Sequence, residues 1–325
     1  MRLLVLGGTR FVGLHIVRAA LAAGHQVDVF HRGRTPAPDG ARSLLGDRDE
    51  AGGLAALERG AWDAVVDVSA YVPRQVREAA ALLNGRVGRY VFVSTVAVYR
   101  DSCPETAEDA PLAEPPAPNV EEVTGATYGG LKVACERALD ATFDGSALHV
   151  RPTYVVGPDD YTDRFASWLR RVRRGGRMAA LGDPRTPLSF VDVRDLGTFT
   201  VGLAAGEAAG AVNASGPARP TTWGQVLATA ARVTDGDAEL IWLPRDWVAA
   251  QDVPAAAFPM ASPHAFTGAA PYALDRAHTL GLTHRDVADS VRATLAWHDK
   301  HGQATAGLSD AAEADLLTAW DRERG

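Results

Sequence analysis

The sequence predicts an α/β protein built on a parallel sheet that is covered by helices on both faces. Short apolar segments alternate with longer segments whose apolar residues recur at helical spacing. The short segments are continuously apolar, as expected for strands that are buried on both faces. The chain also begins with a strand, a glycine turn, a helix and a second strand within residues 2–30, which is one βαβ unit.

The first half of the chain has the clearest pattern, and its first helix starts near Val12 and ends at Gly24. Strands are predicted at 2–6, 26–30, 42–46, 64–68, 89–93 and 147–150, and further helices at 51–59, 73–83 and 121–142. An acidic, proline-rich surface loop is predicted at 102–118.

Beyond residue 158 the segments shorten, and proline and glycine become frequent. Helices are predicted at 161–174, 193–205, 223–234, 284–298 and 310–322, strands at 177–181, 188–191, 211–214 and 239–243, and an irregular stretch at 254–271. This half is predicted to form a smaller α/β lobe that is interleaved with the first sheet.

Composition excludes several classes of function. A net charge of −7 over 325 residues argues against a nucleic-acid surface, which needs a basic excess. The cysteines Cys103 and Cys135 make no disulfide framework, and the histidines lack metal-ligand spacing. No apolar run approaches the roughly 20 residues of a membrane helix, and the first is too short for a signal peptide. We expect a cytoplasmic protein with a small-molecule substrate, no metal, and no nucleic-acid or membrane partner.

The glycine turn GGTRFVG at 7–13 predicts a site for a pyrophosphate. Gly7 lets the chain turn sharply off the strand, and Gly13 lets the helix pack close to the sheet. The N–H groups of the first helical turn, together with the helix dipole, then favour an anion. The alternative is an ordinary turn between a strand and a helix. The predicted cofactor-binding residues of this turn are Gly7, Thr9, Arg10, Phe11, Val12 and Gly13.

The end of the second strand bears on the choice of cofactor. An acidic residue there would bind the ribose 2′-hydroxyl of NAD, but residues 31–34 read HRGR and contain no carboxylate. Arg32 and Arg34, with Arg10 from the glycine turn, are able to form charge-assisted hydrogen bonds to a 2′-phosphate. The sequence therefore favours NADP, with NAD as the alternative.

Two further stretches carry groups suited to proton transfer. Ser94 and Thr95 follow the predicted strand 89–93, at the strand edge where ligands of open α/β sheets bind. Tyr128 and Lys132 are four residues apart on a predicted helix and therefore share a face. A nearby ammonium lowers the pKa of a phenol, so that Tyr128 is able to exchange a proton near neutral pH.

In this combination the chain resembles the short-chain dehydrogenase/reductase superfamily, in its extended, epimerase/dehydratase-like branch. The resemblance spans nearly the whole chain and is carried by GGTRFVG, Asp47, VFVSTVAVY at 91–99, YGGLK at 128–132 and RPTYVVGP at 151–158. It implies a doubly wound Rossmann region at 1–158 and a mainly substrate-binding lobe at 159–325, some segments of which return to the first sheet. It also implies a homodimer built on the Tyr128 helix and the helix before the 89–93 strand.

The same resemblance implies residue roles. Thr95 matches the catalytic hydroxyl, Tyr128 the acid/base, and Lys132 the residue that binds the nicotinamide ribose and tunes the tyrosine. Asp47 would bind near the adenine. Residues implied to line the cofactor groove are Ser69, Tyr71, Ser94, Tyr128, Lys132 and Val155, and candidate substrate contacts are Tyr154, Tyr161 and Arg164.

The chain departs from the family pattern at three places. Arg10 replaces a central glycine, as in a GGTR subgroup of reductases and proteins similar to chloroplast stem-loop RNA-binding proteins. Val96 and Ala97 stand where sugar-nucleotide dehydratases carry an acid pair, and Leu188 stands where many nucleotide-sugar enzymes place a phosphate-binding arginine. Both of the latter count against a 4,6-dehydratase and weaken the sugar-nucleotide interpretation generally.

We therefore favour an NADP-dependent oxidoreductase acting on a small-molecule carbonyl or alcohol through Thr95, Tyr128 and Lys132. The alternative is an epimerase of a sugar or sugar nucleotide that retains its cofactor. A non-catalytic RNA-binding protein on this scaffold is disfavoured by the intact Tyr128/Lys132 pair and the acidic charge.

Overall fold

A computed structural model describes residues 1–101, 105–254, 257–261 and 272–324 of the protein. The chain forms two compact units. The sheet unit comprises Met1–Val155, Val193–Ser215 and Tyr272–Thr283, and the second unit comprises Val156–Asp192, Gly216–Pro271 and His284–Gly325. Cys103 and most of the stretch predicted to be irregular at 254–271 lie outside the described residues.

The regular elements alternate along the described chain. The strands are β1 Arg2–Leu6, β2 Gln26–His31, β3 Arg42–Leu45, β4 Trp62–Asp67, β5 Val87–Val93, β6 Ser146–Pro152, β7 Tyr154–Val156, β8 Arg177–Leu181, β9 Phe190–Asp192, β10 Gly210–Ala214 and β11 Glu239–Leu243. The helices are α1 Phe11–Ala22, α2 Pro73–Leu83, α3 Tyr128–Thr142, α4 Arg164–Arg174, α5 Val193–Ala205, α6 Trp223–Thr234, α7 Arg245–Ala249, α8 Asp275–Thr279, α9 Val287–His301 and α10 Asp310–Arg324.

The sheet unit contains seven parallel strands in the order β10-β6-β5-β4-β1-β2-β3. This arrangement confirms the predicted doubly wound α/β fold. Successive strands first run outward from β1 to β3, and the chain then returns to place β4 on the other side of β1. Ligands of such sheets bind beyond the carboxyl ends of the strands at this reversal, here β1 and β4.

Helices cover the sheet because the strand side chains on both faces are apolar. On one face α2 and α3 pack together, and their side chains join those of the strands in a single buried core. That core includes Leu4, Val65, Tyr90, Leu83 and Leu139. Elsewhere in the sheet unit α1 packs against α5, which also contacts β4 and β5. The core thereby holds the carboxyl ends of β1, β4 and β5 in fixed register.

Three predicted helices are shorter than their apolar pattern indicates. The helix predicted at 121–142 starts only at Tyr128, because Thr124 and Thr127 exchange side-chain-to-backbone hydrogen bonds of 2.9 and 3.2 Å that compete with the helix. The helix predicted at 161–174 starts at Arg164, since Asp163 has a left-handed backbone with φ 56°. The helix predicted at 51–59 is reduced to a 3₁₀ turn at Ala55–Leu57.

The second unit has its own aromatic and ionic core. Helices α4, α6 and α9 pack together, and the rings of Trp168 and Trp223 lie 4.8 Å apart between centroids. Strands β8 and β11 pair in parallel. The buried Arg171 of α4 is ion-paired with the buried Glu313 of α10, which also accepts a hydrogen bond from the Ala179 N–H at 2.9 Å. No helix in the described part of the chain has the apolar length that crossing a bilayer requires.

Replacing Gly13 tests how closely α1 approaches the glycine turn. A β-carbon added at Gly13 would lie 2.2 Å from the Gly7 carbonyl oxygen, so Gly13→Ala forces the helix away from the sheet. We expect a loss of about 1–3 kcal/mol in the free energy of unfolding, as for other overpacked sites. Urea unfolding measures it.

Gly202→Ala is the matched control, because Gly202 is an exposed glycine in α5, and an added β-carbon would meet no described atom within 4 Å apart from its chain neighbours and its own helix backbone. It should stabilise the protein by about 0.5–1 kcal/mol, since alanine favours the helix over glycine. Equal effects of the two substitutions would contradict the close approach at Gly13.

Candidate cofactor and catalytic site

The glycine turn presents the start of α1 at the carboxyl end of β1. The Gly7 N–H donates to the Phe30 carbonyl at 3.0 Å, which joins the turn to β2. Arg10, at the place of the family's central glycine, has an extended backbone with φ −141°, and the positive φ of 36° falls on Phe11 instead. Among the described residues, no side chain caps the start of α1 with a hydrogen bond. The first-turn N–H groups are therefore not taken by a cap, which fits a site for a pyrophosphate.

Two arginines, Arg32 and Arg34, follow the end of β2. Arg32 and Arg34 are exposed, and neither forms a hydrogen bond or ion pair with any residue that the structure describes. The preceding residue, His31, is buried and is hydrogen-bonded to Ser43 and to the Gly33 N–H. Two uncompensated guanidinium groups beside the end of β2 suit a phosphate dianion.

A buried ion pair, which the sequence reasoning missed, lies between the Asp47 loop and the end of β4. The Arg48 guanidinium donates to both carboxylate oxygens of Asp67 at 2.9 and 3.0 Å. It also donates to the Ser69 hydroxyl at 3.2 Å and to the Gln75 carbonyl at 2.9 Å. Asp67 is fully buried, and the signal for its pairing in the sequence was a carboxylate directly after the apolar residues 64–66.

The electrostatics of this pair keep both groups charged. Burial alone would raise the pKa of Asp67, but the charge and hydrogen bonds of Arg48 lower it below its ordinary value. Burial likewise works against the charged form of Arg48, and Asp67 overcomes it, so that the pKa of Arg48 is raised. Tyr90 donates its hydroxyl to Asp67 at 2.8 Å, and burial and Asp67 together raise the pKa of Tyr90 well above its usual value.

Gln75 ties together the loops that carry the predicted groove residues. Its side-chain oxygen accepts the Tyr71 N–H at 2.9 Å, and its amide donates to Asp49 at 2.8 Å. The Ser69 N–H donates to Asp67 at 3.1 Å. Asp47 accepts the Asp49 N–H at 3.1 Å. The structure therefore joins Asp47, Ser69 and Tyr71 through one hydrogen-bonded network.

Lys132 connects the loop after β4 with the end of β5. Its ammonium donates to the Ala70 carbonyl at 3.0 Å and to the Val93 carbonyl at 2.8 Å, and it lies 4.2 Å from the centroid of the Phe92 ring. The side chain is buried, and burial lowers the pKa of Lys132 to about 8. The ammonium is thus fixed on the carbonyl of Val93, which is two residues before Thr95 along the chain.

The predicted catalytic hydroxyls lie directly after β5, beside the 3₁₀ turn that packs against α3. The Thr95 hydroxyl oxygen accepts the Ala97 N–H at 3.2 Å and starts the 3₁₀ turn Val96–Val98. The Ser94 hydroxyl is buried and has no hydrogen-bond partner among the described residues. An unpartnered buried hydroxyl is costly unless a ligand satisfies it, so Ser94 fits a group bound at this edge of the sheet.

Glycine brings the tyrosine helix against the same turn. A β-carbon added at Gly129 would lie 2.2 Å from the Ala97 carbonyl oxygen, so only glycine allows this approach. Tyr128, half-buried, is the first residue of α3, and Lys132 follows one turn later. The structure therefore gathers Thr95, Tyr128 and Lys132 around the carboxyl end of β5. An ammonium, a phenol and two hydroxyls in this arrangement are suited to moving a proton to or from an oxygen of a substrate.

The candidate substrate residues are divided between the units. Tyr154 and Val155 belong to β7 in the sheet unit and are half-buried. Tyr161 and Arg164 belong to the second unit, where Tyr161 is exposed and the Arg164 Nε donates to the Thr162 hydroxyl at 3.0 Å. Among the described residues, histidine, cysteine and carboxylate side chains form no group suited to a metal ion.

Removing Lys132 should change the pH dependence of stability. Because the pKa of Lys132 is lowered from 10.5 to about 8, the unfolded chain binds its proton more tightly than the folded protein does. Wild-type stability relative to Lys132→Met should therefore rise between about pH 8 and 10.5, by about 1 kcal/mol per pH unit. Urea unfolding of both proteins at several pH values measures this difference. Lys300→Met, which removes an exposed lysine, is the control. A difference that is independent of pH would show that Lys132 is not desolvated.

Known proteins resemble this chain both in sequence and in fold. The chloroplast stem-loop binding protein of 41 kDa b from Arabidopsis thaliana is 26% identical over 229 residues, which cover 64% of this chain and 56% of that protein. The chain thus matches little more than half the length of this relative. The 2′-dehydrokanamycin reductase of Streptomyces kanamyceticus is 28% identical over 266 residues, covering 77% of this chain and 72% of that protein.

Solved structures share the fold at lower identity. UDP-glucuronic acid 4-epimerase from Bacillus cereus, in complex with NAD, superposes with a TM-score of 0.70 at 16% identity, covering 94% of this chain and 99% of that one. UDP-glucose 4-epimerase from Thermotoga maritima, with UDP-glucose, has a TM-score of 0.67 at 18% identity, covering 92% and 99%. The NAD dependent epimerase/dehydratase family matches residues 3–215, and the chain therefore belongs to that family.

Proposed function

We propose that the protein is an NADP-dependent oxidoreductase that interconverts a carbonyl and an alcohol on a small molecule. The observation that carries the proposal is the gathering of Thr95, Tyr128 and Lys132 at the carboxyl end of β5, with the Lys132 ammonium fixed on two backbone carbonyls. This edge of a doubly wound sheet is where such proteins bind dinucleotides.

Different residues of the sheet unit would bind different parts of the cofactor. The N–H groups at the start of α1 would hold the pyrophosphate, and Arg10, Arg32 and Arg34 would hold the 2′-phosphate. The bound nicotinamide would supply or accept the hydride. Residues proposed to line the remaining groove are Gly7, Thr9, Phe11, Val12, Gly13, Asp47, Ser69, Tyr71, Ser94 and Val155.

Tyr128 would transfer the proton to or from the substrate oxygen. A cation favours the phenolate form of a neighbouring tyrosine, so that Lys132 would bring the Tyr128 proton within reach of neutral pH. Thr95 accepts the Ala97 N–H, and its own hydrogen is not donated to any described residue. It would therefore donate to the substrate oxygen and polarise the carbonyl.

Sequence similarity supports a reductase. One relative is named for reducing 2′-dehydrokanamycin, and the matched region covers 72% of it. We therefore propose to begin a substrate search with small-molecule ketones and aldehydes, with 2′-dehydrokanamycin among them. Tyr154, Tyr161 and Arg164 are the proposed substrate contacts.

An epimerase is the second candidate, because family membership is compatible with oxidation and re-reduction of one carbon. Leu188, where many nucleotide-sugar enzymes of the family place an arginine, is buried, and its N–H donates to the Thr221 carbonyl at 3.0 Å. It offers no cation to a substrate phosphate. Purified protein that carries tightly bound cofactor and isomerises a UDP-sugar without net oxidation would favour the epimerase.

RNA binding is a third candidate, favoured by the similarity to a chloroplast stem-loop binding protein. Salt-sensitive retention of an RNA stem-loop at physiological ionic strength would support it.

The cofactor preference is tested by titrating NADPH and NADH against the intrinsic fluorescence of the protein. We expect tighter binding of NADPH, and Arg32→Ala should weaken it by roughly 1.5–3 kcal/mol because a charged hydrogen bond is lost. NADH binding should be nearly unchanged. Arg59→Ala is the control, since Arg59 is an exposed arginine before the amino end of β4, opposite the proposed site. NADH binding as tight as NADPH binding would contradict the proposed preference for NADP.

Tyr128→Phe should lower kcat by about 10²–10⁴-fold while leaving the affinity for NADPH nearly intact, because general acid catalysis is lost whereas the aromatic ring is kept. Steady-state rates on a substrate found by the ketone screen, with fluorescence titration of NADPH, measure the two effects. Near wild-type turnover in this variant would require another proton donor.

The Thr95 hydroxyl is tested by a matched pair of substitutions. Thr95→Ser keeps the hydroxyl and should be mild, whereas Thr95→Val keeps the shape and should reduce kcat severely, by about 10²–10³-fold. The same steady-state assay compares them. Similar rates for the two variants would remove Thr95 from the proposed mechanism.

A further inference from the structure

His31 connects the sheet to the arginine loop, defined here as residues 32–34. It is the last residue of β2, and its carbonyl accepts the Gly46 N–H at 3.2 Å beyond the end of β3. Its ring is buried, with 8% of its surface exposed. Nε2 lies 3.0 Å from the Ser43 hydroxyl of β3, and Nδ1 lies 3.2 Å from the Gly33 backbone nitrogen.

The two hydrogen bonds fix the protonation of the ring. The Gly33 N–H is able only to donate, so Nδ1 must be the unprotonated nitrogen that accepts. The neutral ring then carries its hydrogen on Nε2 and donates it to the Ser43 hydroxyl. Burial lowers the pKa of His31, which favours this neutral form.

The Nδ1 contact gives the arginine loop its local shape. A side-chain acceptor bonded to the backbone N–H two residues later is the pattern by which asparagine and aspartate form tight turns. Here a histidine forms the same closure and is itself anchored to β3 through Ser43. The backbone between Arg32 and Arg34 is therefore restrained, although neither arginine has a partner among the described residues.

We propose that His31 is a specificity-determining positioning residue, which holds the arginine loop in the conformation that binds the 2′-phosphate of NADP. The proposal rests on the NADP preference stated above. Without the Nδ1 contact, the loop must lose conformational freedom when the phosphate binds, and the affinity for NADP falls. NAD lacks the phosphate, so its affinity does not depend on His31 in this way.

The test compares two amide variants of His31 that keep different halves of its geometry. In His31→Asn the side-chain oxygen lies near the position of Nδ1 and is able to accept the Gly33 N–H. In His31→Gln the longer side chain reaches toward Ser43, as Nε2 does, and leaves Gly33 without its acceptor. Dissociation constants for NADPH and NADH are measured by fluorescence titration for wild type and both variants, with the midpoint of thermal unfolding as the control for folding.

We expect His31→Gln to reduce the preference for NADPH over NADH by about three- to tenfold, a size appropriate to one neutral hydrogen bond. His31→Asn should keep the wild-type preference, and Ser43→Ala should lie between the two because it removes only the anchor. NADH affinity should stay nearly constant throughout.

Two results would overturn the proposal while leaving the NADP assignment standing. One is a wild-type preference in His31→Gln, and the other is an equal loss in the asparagine and glutamine variants. A wild-type protein that binds NADH as tightly as NADPH would instead overturn the NADP assignment, and the role of His31 with it.

Discussion

The bidentate ion pair between Arg48 and Asp67 is the interaction on which the proposed cofactor site depends. Asp67 ends β4 beside the strand reversal, where its carboxylate is fully enclosed. An unpaired charge there would be costly, and removing one partner of such a pair typically costs about 3–5 kcal/mol. The same guanidinium holds the Ser69 hydroxyl and the Gln75 carbonyl, so that the requirement to compensate one buried charge also fixes the loop after β3 against the residues that follow β4.

The sequence was informative wherever local backbone geometry decides the structure. The glycines of the first turn, the continuous apolar strands and the Tyr128/Lys132 spacing predicted the doubly wound sheet and the location of its polar edge. The helix boundaries were less predictable. Glu121, Glu122 and Val123 continue a plausible helical pattern, and only the paired threonine hydrogen bonds at Thr124 and Thr127 stop it.

Long-range polar pairs were the main omission. Arg48 stands next to Asp47, a residue that the family resemblance implicates. The partner of Arg48, however, is Asp67 at the end of β4. Likewise Lys132 was expected to bind a ribose and to tune a tyrosine, and the two backbone carbonyls that it holds belong to the loop after β4 and to the end of β5, both far away in the sequence. Pairing of this kind depends on strand order, which a single sequence does not specify.

The ion pairs between α4 and α10 determine which shortened forms of the protein are worth expressing. Arg171 is buried and bonded to Glu313, while Arg174 contacts both Asp310 and Glu313. A shortened protein that stops before α10 would leave the buried guanidinium of Arg171 in the second unit without its carboxylate. It would also expose the side chains that Leu316 and Leu317 now cover. Shortened forms of the protein should therefore keep the whole of α10. A purification tag should follow α10 and should not replace it.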